Sequence, residues 1–253
     1  MIKVIINGIN GKMGKVLSSA VINDENMELV AGFDIYDDGK NECTVYKKPV
    51  DFKGDADVII DFSHPSLLKD LISYATETKT AVVIATTGLS EDEKQLMLSA
   101  SEKIAVFHSA NMSLGVNLLV DLVKQAAKVL YENYDIEIIE KHHNQKIDAP
   151  SGTALMIADE IADTLDNGIN YTYDRHSVRK KREKKEIGIH AVRGGTIVGE
   201  HEVIFAGKDE IISVNHLAMS KEIFATGSVR AAKFIADREA GMYSMKDVIS
   251  KRS

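Results

Sequence analysis

A short run of β-branched residues near the start of the chain leads into a glycine-rich loop, and this junction constrains the fold more than any other feature. Residues 2–6 predict a strand, and the loop after them has the form G-x-x-G-x-x-G, with glycines at Gly8, Gly11 and Gly14. Glycine permits the tight turn and the close approach of a pyrophosphate, and the free N–H groups of the helix that follows favour phosphate. The junction therefore predicts a dinucleotide site, with an ordinary flexible turn as the alternative.

Strands and helices alternate through roughly the first 110 residues. Four more strands are predicted over residues 27–33, 58–62, 81–85 and 104–107, with helices over 65–78 and 91–103. Because parallel strands need crossover connections, this alternation predicts an α/β domain with a doubly wound, Rossmann-like parallel sheet.

The second predicted strand is followed by Asp34, twenty residues after Gly14. A carboxylate at this place can accept hydrogen bonds from the adenosine ribose of a dinucleotide. It would also repel the additional phosphate of NADP, and Ile35 offers that phosphate no donor, so NADH is the preferred cofactor. NADPH stays the alternative because the ammonium of Lys12 could reach across the loop.

The pattern changes after Asn111. Helices are predicted over residues 114–130 and 153–165, and strands over 135–140, 187–193, 200–206 and 211–215. Successive strands joined by short turns are typical of an antiparallel or mixed sheet. We therefore expect a dinucleotide-binding domain over residues 1–112, completed by 222–253, and an α+β substrate-binding domain over 113–221.

Charge and composition narrow the classes of partner. The net charge of −7 gives no cationic field for a polyanion, and the cationic run at residues 179–185 is interpreted as a solvated surface, with phosphate binding as the alternative. The single cysteine, Cys43, cannot form an internal disulfide, no apolar run is long enough to cross a bilayer, and the N-terminus lacks the features of a signal peptide. We expect a cytoplasmic protein without membrane or nucleic-acid partners.

The densest chemical signal lies in residues 140–154. It contains His142, His143 and Lys146, and it ends in the helix start Ser-Gly-Thr. Histidine exchanges protons near neutral pH, lysine offers a compact cation to a carboxylate, and the first N–H groups of a helix bind anions. A polar loop with a helix cap at Ser151 and a metal site are the alternatives. We expect no metal, because no set of cysteine, histidine or carboxylate ligands at fixed spacing accompanies the histidines.

The pattern E-x-H-H-x-x-K-x-D-A-P-S-G-T-A over this segment resembles the signature of the dihydrodipicolinate reductases. Other parts of the chain agree in order, namely the loop at residues 8–14, Asp-Phe-Ser at 61–63, Thr-Thr-Gly at 86–88, Gly-Val-Asn at 115–117, Arg-Gly-Gly at 193–195 and the ending at 241–248. The resemblance covers nearly the whole chain. It implies an NAD(P)H-dependent reductase of lysine and diaminopimelate biosynthesis that transfers hydride to a cyclic imine carrying two carboxylates. It also implies a homotetramer assembled through the sheet of the second domain.

The same resemblance assigns roles to single residues. His142 would donate the proton that completes the reduction, and Lys146 would anchor the substrate or donate a second proton. The substrate carboxylates would be bound by His143, Gly152 and Thr153. The cofactor would contact Gly8, Ile9, Asn10, Gly11, Lys12, Met13, Asp34, Ala85, Thr86, Thr87, Ser109, Ala110, Asn111 and Met112. Another NAD(P)-dependent oxidoreductase of similar build and a non-catalytic dinucleotide sensor are the alternatives, although a sensor has no need of both His142 and Lys146.

Overall fold

The computed structural model describes residues 1–37, 39–165 and 168–250. The chain divides into two compact units: unit 1 is Met1–Leu114 with Lys221–Ser253, and unit 2 is Gly115–Ser220. In chain order the strands are β1 (Ile2–Asn7), β2 (Met27–Phe33), β3 (Val45–Tyr46), β4 (Val58–Asp61), β5 (Ala81–Ile84), β6 (Ala105–His108), β7 (Asp135–His142), β8 (Asn170–Thr172), β9 (Glu186–Arg193), β10 (Gly199–Ala206), β11 (Ile211–Ala218) and β12 (Gly241–Tyr243). The α-helices are α1 (Lys12–Ile22), α2 (Leu68–Thr78), α3 (Glu91–Ser101), α4 (Leu114–Leu130), α5 (Gly152–Leu165), α6 (Glu222–Ile235) and α7 (Met245–Ser250). Short 3-10 helices cover Pro49–Asp51 and Pro65–Leu67.

Unit 1 contains a sheet of seven parallel strands in the order β12-β6-β5-β4-β1-β2-β3. Since β1 lies between β2 and β4, the chain winds outward from β1 in both directions. The carboxyl ends of β1 and β4 meet at this switch of strand order, which is where open parallel sheets bind ligands. The predicted doubly wound, Rossmann-like sheet is confirmed.

Both faces of the unit 1 sheet are buried, because successive residues of a strand point into different apolar clusters. Val4 and Ile6 of β1 belong to the cluster that contains Leu17 of α1, whereas Ile5 belongs to the cluster that contains Leu71 of α2. Helices α1 and α6 pack together on one face, and α2 and α3 pack together on the other. Strands covered on both faces are apolar without alternation, which explains the continuous β-branched runs in the sequence.

Unit 2 contains a five-stranded mixed sheet in the order β11-β10-β7-β9-β8. Strand β10 is antiparallel to β7 and β11, while β9 is parallel to β7 and β8. Helices α4 and α5 contribute Val123 and Ile157 to the same buried cluster as Ile138 and Val203 of the sheet. The predicted mixed sheet is confirmed.

The structure adds short elements that the sequence patterns do not predict. Strands β3, β8 and β12 have two or three residues and α7 has six, too few for a recognisable period. Strand β7 also continues two residues beyond its predicted end, because it pairs with β9 as far as His142. This histidine therefore lies in a sheet and not in a polar loop. None of the helices described is both long and apolar enough to cross a bilayer.

Candidate active site

The loop after β1 is shaped by two glycines that cannot carry a side chain. Gly8 has a φ of +80°, and a Cβ there would lie 2.8 Å from the carbonyl oxygen of Phe62. At Gly14 a Cβ would lie 2.2 Å from the carbonyl oxygen of Gly8, so α1 approaches the loop only because this residue is glycine. Gly11 precedes α1, and no side chain among the described residues caps that helix. The loop at residues 8–13 thus offers a backbone concavity and a positive helix end, both suited to a pyrophosphate.

Asp34 follows β2 and is fixed against the same loop. Its Oδ2 accepts a hydrogen bond from the backbone N–H of Asn10 at 3.0 Å, and its Oδ1 accepts one from the N–H of Tyr36 at 3.2 Å. Ile35, beside it, is 73% exposed. The predicted ribose ligand is therefore held next to the phosphate loop by backbone donors on either side of it.

A buried carboxylate that was not among the predicted site residues connects the carboxyl ends of three strands. Asp61, the last residue of β4, is fully buried and accepts hydrogen bonds from Nδ2 of Asn7 at 2.8 Å and Oγ of Ser63 at 2.6 Å. It also accepts one from Oγ1 of Thr86 at 2.6 Å. The hydroxyl of Thr86 thus points inward, toward Asp61. An acid that ends an otherwise apolar strand is the sequence signal for such a residue.

The last predicted cofactor segment, residues 109–112, forms a turn after β6. Oγ of Ser109 donates to the carbonyl oxygen of Asn111 at 2.8 Å. Met112 is buried, and a Cβ at Gly227 of α6 would lie 1.7 Å from its carbonyl oxygen, so the close approach of α6 fixes this turn. The four predicted cofactor segments therefore all follow strands of unit 1 at the carboxyl edge of its sheet.

In unit 2, strand β7 carries two polar residues on its buried face. Burial alternates along the strand, and Glu140 and His142 continue the buried side that begins with Ile136 and Ile138. Glu140 is fully buried and His142 is 8% exposed. Nδ1 of His142 lies 2.6 Å from Oε2 of Glu140. Apolar residues at every second position of this strand are the sequence signal that places Glu140 on the buried face. Glu140 was not among the predicted site residues.

Arg193 of β9 binds both oxygens of Glu140. Its Nη1 donates to Oε2 and its Nη2 donates to Oε1, each at 2.7 Å, and the N–H of Ser151 donates to Oε1 at 3.0 Å. Burial alone would raise the pKa of Glu140, but the hydrogen bonds from Arg193, His142 and Ser151 together hold that pKa below its usual value. Glu140 is therefore an anion at neutral pH.

The rings of His142 and His201 pack against each other, and His142 contacts the carboxylate of Glu140. The ring of His201, on β10, lies 5.2 Å from that of His142 between centroids, and its Nε2 is 2.9 Å from Oγ of Ser151. Burial lowers the pKa of His201 to about 4. Burial also lowers the pKa of His142, although Glu140 partly offsets this effect. Both rings are neutral at neutral pH in the free protein, and an anion bound beside His142 would favour its protonation.

Lys146 and the start of α5 form the second half of the candidate site in unit 2. The ammonium of Lys146 lies 2.8 Å from Oδ1 of Asp148, and the backbone N–H of Gly152 is close to the same carboxylate. Lys146 first, and Gly152 to a smaller extent, hold the pKa of Asp148 below its usual range. Oγ of Ser151 accepts the N–H of Ala154 and so caps α5. A Cβ at Gly152 would meet nothing within 4 Å, so open space lies above this helix start.

The structure therefore connects three of the predicted substrate and catalytic residues. His142, Lys146 and Gly152 are linked through Glu140, Asp148 and Ser151. His143 is half-buried, and its side chain makes no hydrogen bond to the described residues. None of the residues described forms a group of three or more His, Cys, Asp or Glu side chains that could hold a metal ion.

The cationic run at residues 179–185 is partly built into unit 2. Arg182 donates to Oδ1 of Asp135 at 2.8 Å and to the carbonyl oxygens of Ile136 at 3.1 Å and Glu186 at 2.6 Å. This guanidinium therefore braces the starts of β7 and β9. Arg182 is thus part of the fold of unit 2, whereas the other cations of the run are exposed, as predicted for a solvated surface: Arg179, Lys180, Lys181, Lys184 and Lys185.

Comparison with protein families gives one result for both units. The family model described as dihydrodipicolinate reductase, N-terminus, matches residues 2–112, and the model of its C-terminus matches residues 115–249. The chain belongs to the dihydrodipicolinate reductase family.

Named relatives of this reductase family are similar along the whole chain. The chain is 51% identical over 255 residues to the 4-hydroxy-tetrahydrodipicolinate reductase of Caldanaerobacter subterraneus subsp. tengcongensis, with 99% of each protein covered. It is 47% identical over 253 residues to that of Clostridium novyi, with 100% of each covered. Among solved structures, the dipicolinate-bound dihydrodipicolinate reductase of Paenisporosarcina sp. TG-14 is 27% identical, with a TM-score of 0.80 over 96% of this chain and 97% of the other.

In this dihydrodipicolinate reductase family member, the predicted site residues fall in both units. The N-terminal part is a dinucleotide-binding fold, and its strand ends carry the predicted NAD(P) residues. The predicted substrate residues lie in unit 2, at the end of β7 and the start of α5.

Proposed function

We propose that this protein reduces 4-hydroxy-tetrahydrodipicolinate to tetrahydrodipicolinate with NAD(P)H, a step of lysine and diaminopimelate biosynthesis. The observation that carries the proposal is the buried Glu140–His142 pair, connected to the ammonium of Lys146 and to the start of α5. A ring that gains electron density during reduction needs an acid, and its two carboxylates need cations and backbone N–H groups. The relatives named for this reaction support the same substrate, and the solved relative in complex with dipicolinate supports a small dicarboxylate ligand.

The residues of unit 1 fit a dinucleotide. Gly8 and Gly14 let the loop and the start of α1 pack closely, so that the free N–H groups of α1 can face a pyrophosphate. Asp34 would accept the ribose hydroxyls, and residues 85–87 and 109–112 would line the nicotinamide. The reduced nicotinamide supplies the hydride when it is bound. We infer that NADH is preferred over NADPH, because Asp34 would repel a phosphate on the ribose and the exposed Ile35 offers it no donor.

The residues of unit 2 take the remaining roles. When the carboxylates of the substrate are bound beside it, His142 would take up a second proton from solvent on Nε2, since Nδ1 is bound to Glu140, and it would release that proton to the reduced ring. Lys146 places a positive charge beside the substrate, while the N–H groups of Gly152 and Thr153 and the ring of His143 bind its carboxylates.

A thiol-dependent dehydrogenase is the rival that the structure opposes most directly. Cys43 is the one cysteine of the chain, and burial raises its pKa to about 11. A thiol with so high a pKa is protonated at neutral pH and is a poor nucleophile. Cysteine chemistry therefore offers no better account of the protein than imine reduction.

The test is a reductase assay on the purified protein. The substrate is generated in the assay by the enzyme that precedes this step in the pathway, and NADH or NADPH oxidation is followed by absorbance. We expect oxidation that depends on this substrate, a lower KM for NADH than for NADPH, and a kcat about 10²-fold or more lower in His142→Gln with unchanged NADH affinity. His190→Gln is the matched control, since it removes a histidine bound to a different carboxylate of β7, Glu137. No substrate-dependent oxidation by the folded wild type would refute the proposed function.

We also propose that the protein assembles through one face of the unit 2 sheet. Helices α4 and α5 cover the face of the unit 2 sheet that carries Val203 and Phe205, whereas Ile211 and Leu217 of β11 lie on its other face and are 67% and 53% exposed. Exposed apolar residues on one sheet face support a homotetramer formed through that face. Light scattering of the wild type and Leu217→Lys tests this, and a monomeric wild type would contradict it. We also propose a cytoplasmic location, in keeping with a biosynthetic reductase.

A further inference from the structure

We propose that Glu140 is a positioning residue for the reduction, which fixes the ring of His142 in one tautomer and stabilises its protonated form; this inference rests on the proposed function. Glu140 has no assigned role in the sequence-based site, and its fully buried side chain acts on the substrate only through His142.

The geometry determines which nitrogen of His142 carries the transferable proton. An ionised carboxylate only accepts hydrogen bonds, so the 2.6 Å contact between Nδ1 of His142 and Oε2 of Glu140 places a hydrogen on Nδ1. Nε2 makes no hydrogen bond to the described residues, and a Cβ at Gly199 would lie 3.1 Å from it. Proton exchange with a ligand is therefore directed to Nε2.

Glu140 is itself held too firmly to rotate or to take the proton. Four donors point at its two oxygens: Nη1 and Nη2 of Arg193 at 2.7 Å each, the N–H of Ser151 at 3.0 Å, and Nδ1 of His142. A bidentate guanidinium pair restricts the carboxylate plane as well as its position. The carboxylate thus orients the imidazole and stabilises the imidazolium without being protonated itself, which is how the buried acid of a catalytic triad acts.

Groups that raise the pKa of His142 and groups that lower it both surround the ring, so the effect of Glu140 on this pKa can be measured. The groups that face the ring are Glu140 on its own strand, Arg193 on β9, His201 on β10 and Lys146 in the following segment. Glu140 raises the pKa of His142, whereas Arg193 and Lys146 lower it. Removing Glu140 and removing Arg193 must therefore shift the titration of the same ring in opposite directions.

A second cluster of a carboxylate with histidine and arginine side chains provides the control. Glu137, three residues earlier on β7, binds Nε2 of His190 at 2.7 Å, Nη2 of Arg175 at 2.8 Å and Nε of Arg182 at 3.0 Å. It lies on the other face of the strand, because its side chain alternates with those of the buried positions. Glu137→Gln therefore removes an equivalent carboxylate–histidine–arginine contact away from the proposed site.

The experiment measures two properties of each variant: the pH dependence of kcat, and the titration of the His142 ring by NMR without substrate, assigned by loss of its signal in His142→Gln. For Glu140→Gln we expect a kcat about 10²-fold lower at neutral pH, unchanged KM for NADH, and a lower His142 pKa in both measurements. For Arg193→Gln we expect a higher His142 pKa. Glu140→Asp, which keeps the charge, should recover part of the kcat, and Glu137→Gln should match the wild type in both properties.

The outcomes separate this proposal from the proposed function. If Glu140→Gln and Glu137→Gln lower kcat equally with no shift of the His142 pKa, Glu140 has only a structural role and the proposal fails. If Glu140→Gln does not fold, Glu140→Asp replaces it, because its shorter side chain lengthens the contact with Nδ1 of His142. A wild-type kcat together with a wild-type His142 pKa in that variant overturns the proposal. If the wild type lacks reductase activity but the His142 pKa shifts as expected, the proposed function fails while the effect of Glu140 on His142 stands.

Discussion

The carboxylate of Asp148 lies 2.8 Å from the ammonium of Lys146. The N–H of Gly152 is also close to this carboxylate, so Asp148 lies beside two of the groups that we assign to a substrate carboxylate. If Lys146 and the start of α5 bind a substrate carboxylate as we propose, that carboxylate must first displace Asp148.

This competition predicts that Asp148→Asn binds the substrate more tightly. The side chain of Asp148 is 58% exposed, and exposed ion pairs contribute up to about 1 kcal/mol, so we expect KM for the substrate to fall about two- to five-fold with little change in kcat. Steady-state kinetics and titration with pyridine-2,6-dicarboxylate measure the effect. Glu183→Gln, which removes an exposed ion pair with Lys180, is the control. A higher KM in Asp148→Asn would show that Asp148 orders the binding segment and does not compete for it.

Gly199 offers a test of how tightly His142 must be held. A Cβ at Gly199 would lie 3.1 Å from Nε2 of His142, and Glu140 prevents the ring from moving away freely. We expect Gly199→Ala to lower kcat about ten-fold and to leave KM for NADH unchanged, because catalysis is sensitive to displacements of a fraction of an ångström. Gly194→Ala is the matched control, since its added Cβ would meet nothing within 4 Å. Equal kinetics for the two variants would contradict this expectation.

How much of the structure can be predicted from the sequence depends on how close together the determining residues lie in the chain. The glycine pattern at Gly8, Gly11 and Gly14 lies within one short stretch of the sequence, and it predicted the strand–loop–helix junction of unit 1 correctly, although the contact that requires glycine at Gly8 is with the distant Phe62. Glu140 and Arg193 are 53 residues apart, and they meet because β7 and β9 pair in parallel with His142 opposite Arg193. Strand register over such a separation is not encoded in a local pattern, so the bidentate pair could not be predicted.

Short strands were missed for a related reason. Strand β12 contains three residues and owes its conformation to pairing with β6, while β3 contains two residues and pairs with β2. Neither has room for an alternating pattern. The longer buried strands of the same sheet were found because each carries a complete apolar run.

Cofactor preference is predicted to depend on Asp34. Its carboxylate accepts N–H groups from Asn10 and Tyr36, which fixes a negative charge beside the phosphate loop. We expect Asp34→Asn to improve kcat/KM for NADPH relative to NADH by about ten-fold, because it removes the repulsion of the ribose phosphate. Initial rates with both cofactors measure the ratio. Asp51→Asn, which removes an exposed carboxylate elsewhere in unit 1, should leave it unchanged, and an unchanged ratio in Asp34→Asn would exclude Asp34 as the discriminating residue.

Acid is predicted to destabilise unit 2 through His201. Burial lowers the pKa of His201 to about 4, with the neighbouring His142 adding to the effect, while His216 and Lys146 also lower it and Glu140 raises it. Below about pH 6.5 the unfolded chain binds a proton at His201 that the folded protein does not bind until about pH 4. The free energy of unfolding therefore falls as pH decreases through this range, by up to about 3 kcal/mol from this residue.

Urea unfolding at fixed protein concentration, from neutral pH to about pH 4, measures this loss. In His201→Gln the slope of the unfolding free energy against pH should be smaller, because the group whose protonation opposes folding is absent. The variant should also be less stable than the wild type at neutral pH, since the contact between Nε2 of His201 and Oγ of Ser151 is altered. His176→Gln, at an exposed histidine, should keep the wild-type slope. If the slope persists in His201→Gln, the acid sensitivity arises from other groups, and His142, whose pKa burial also lowers, becomes the next residue to substitute.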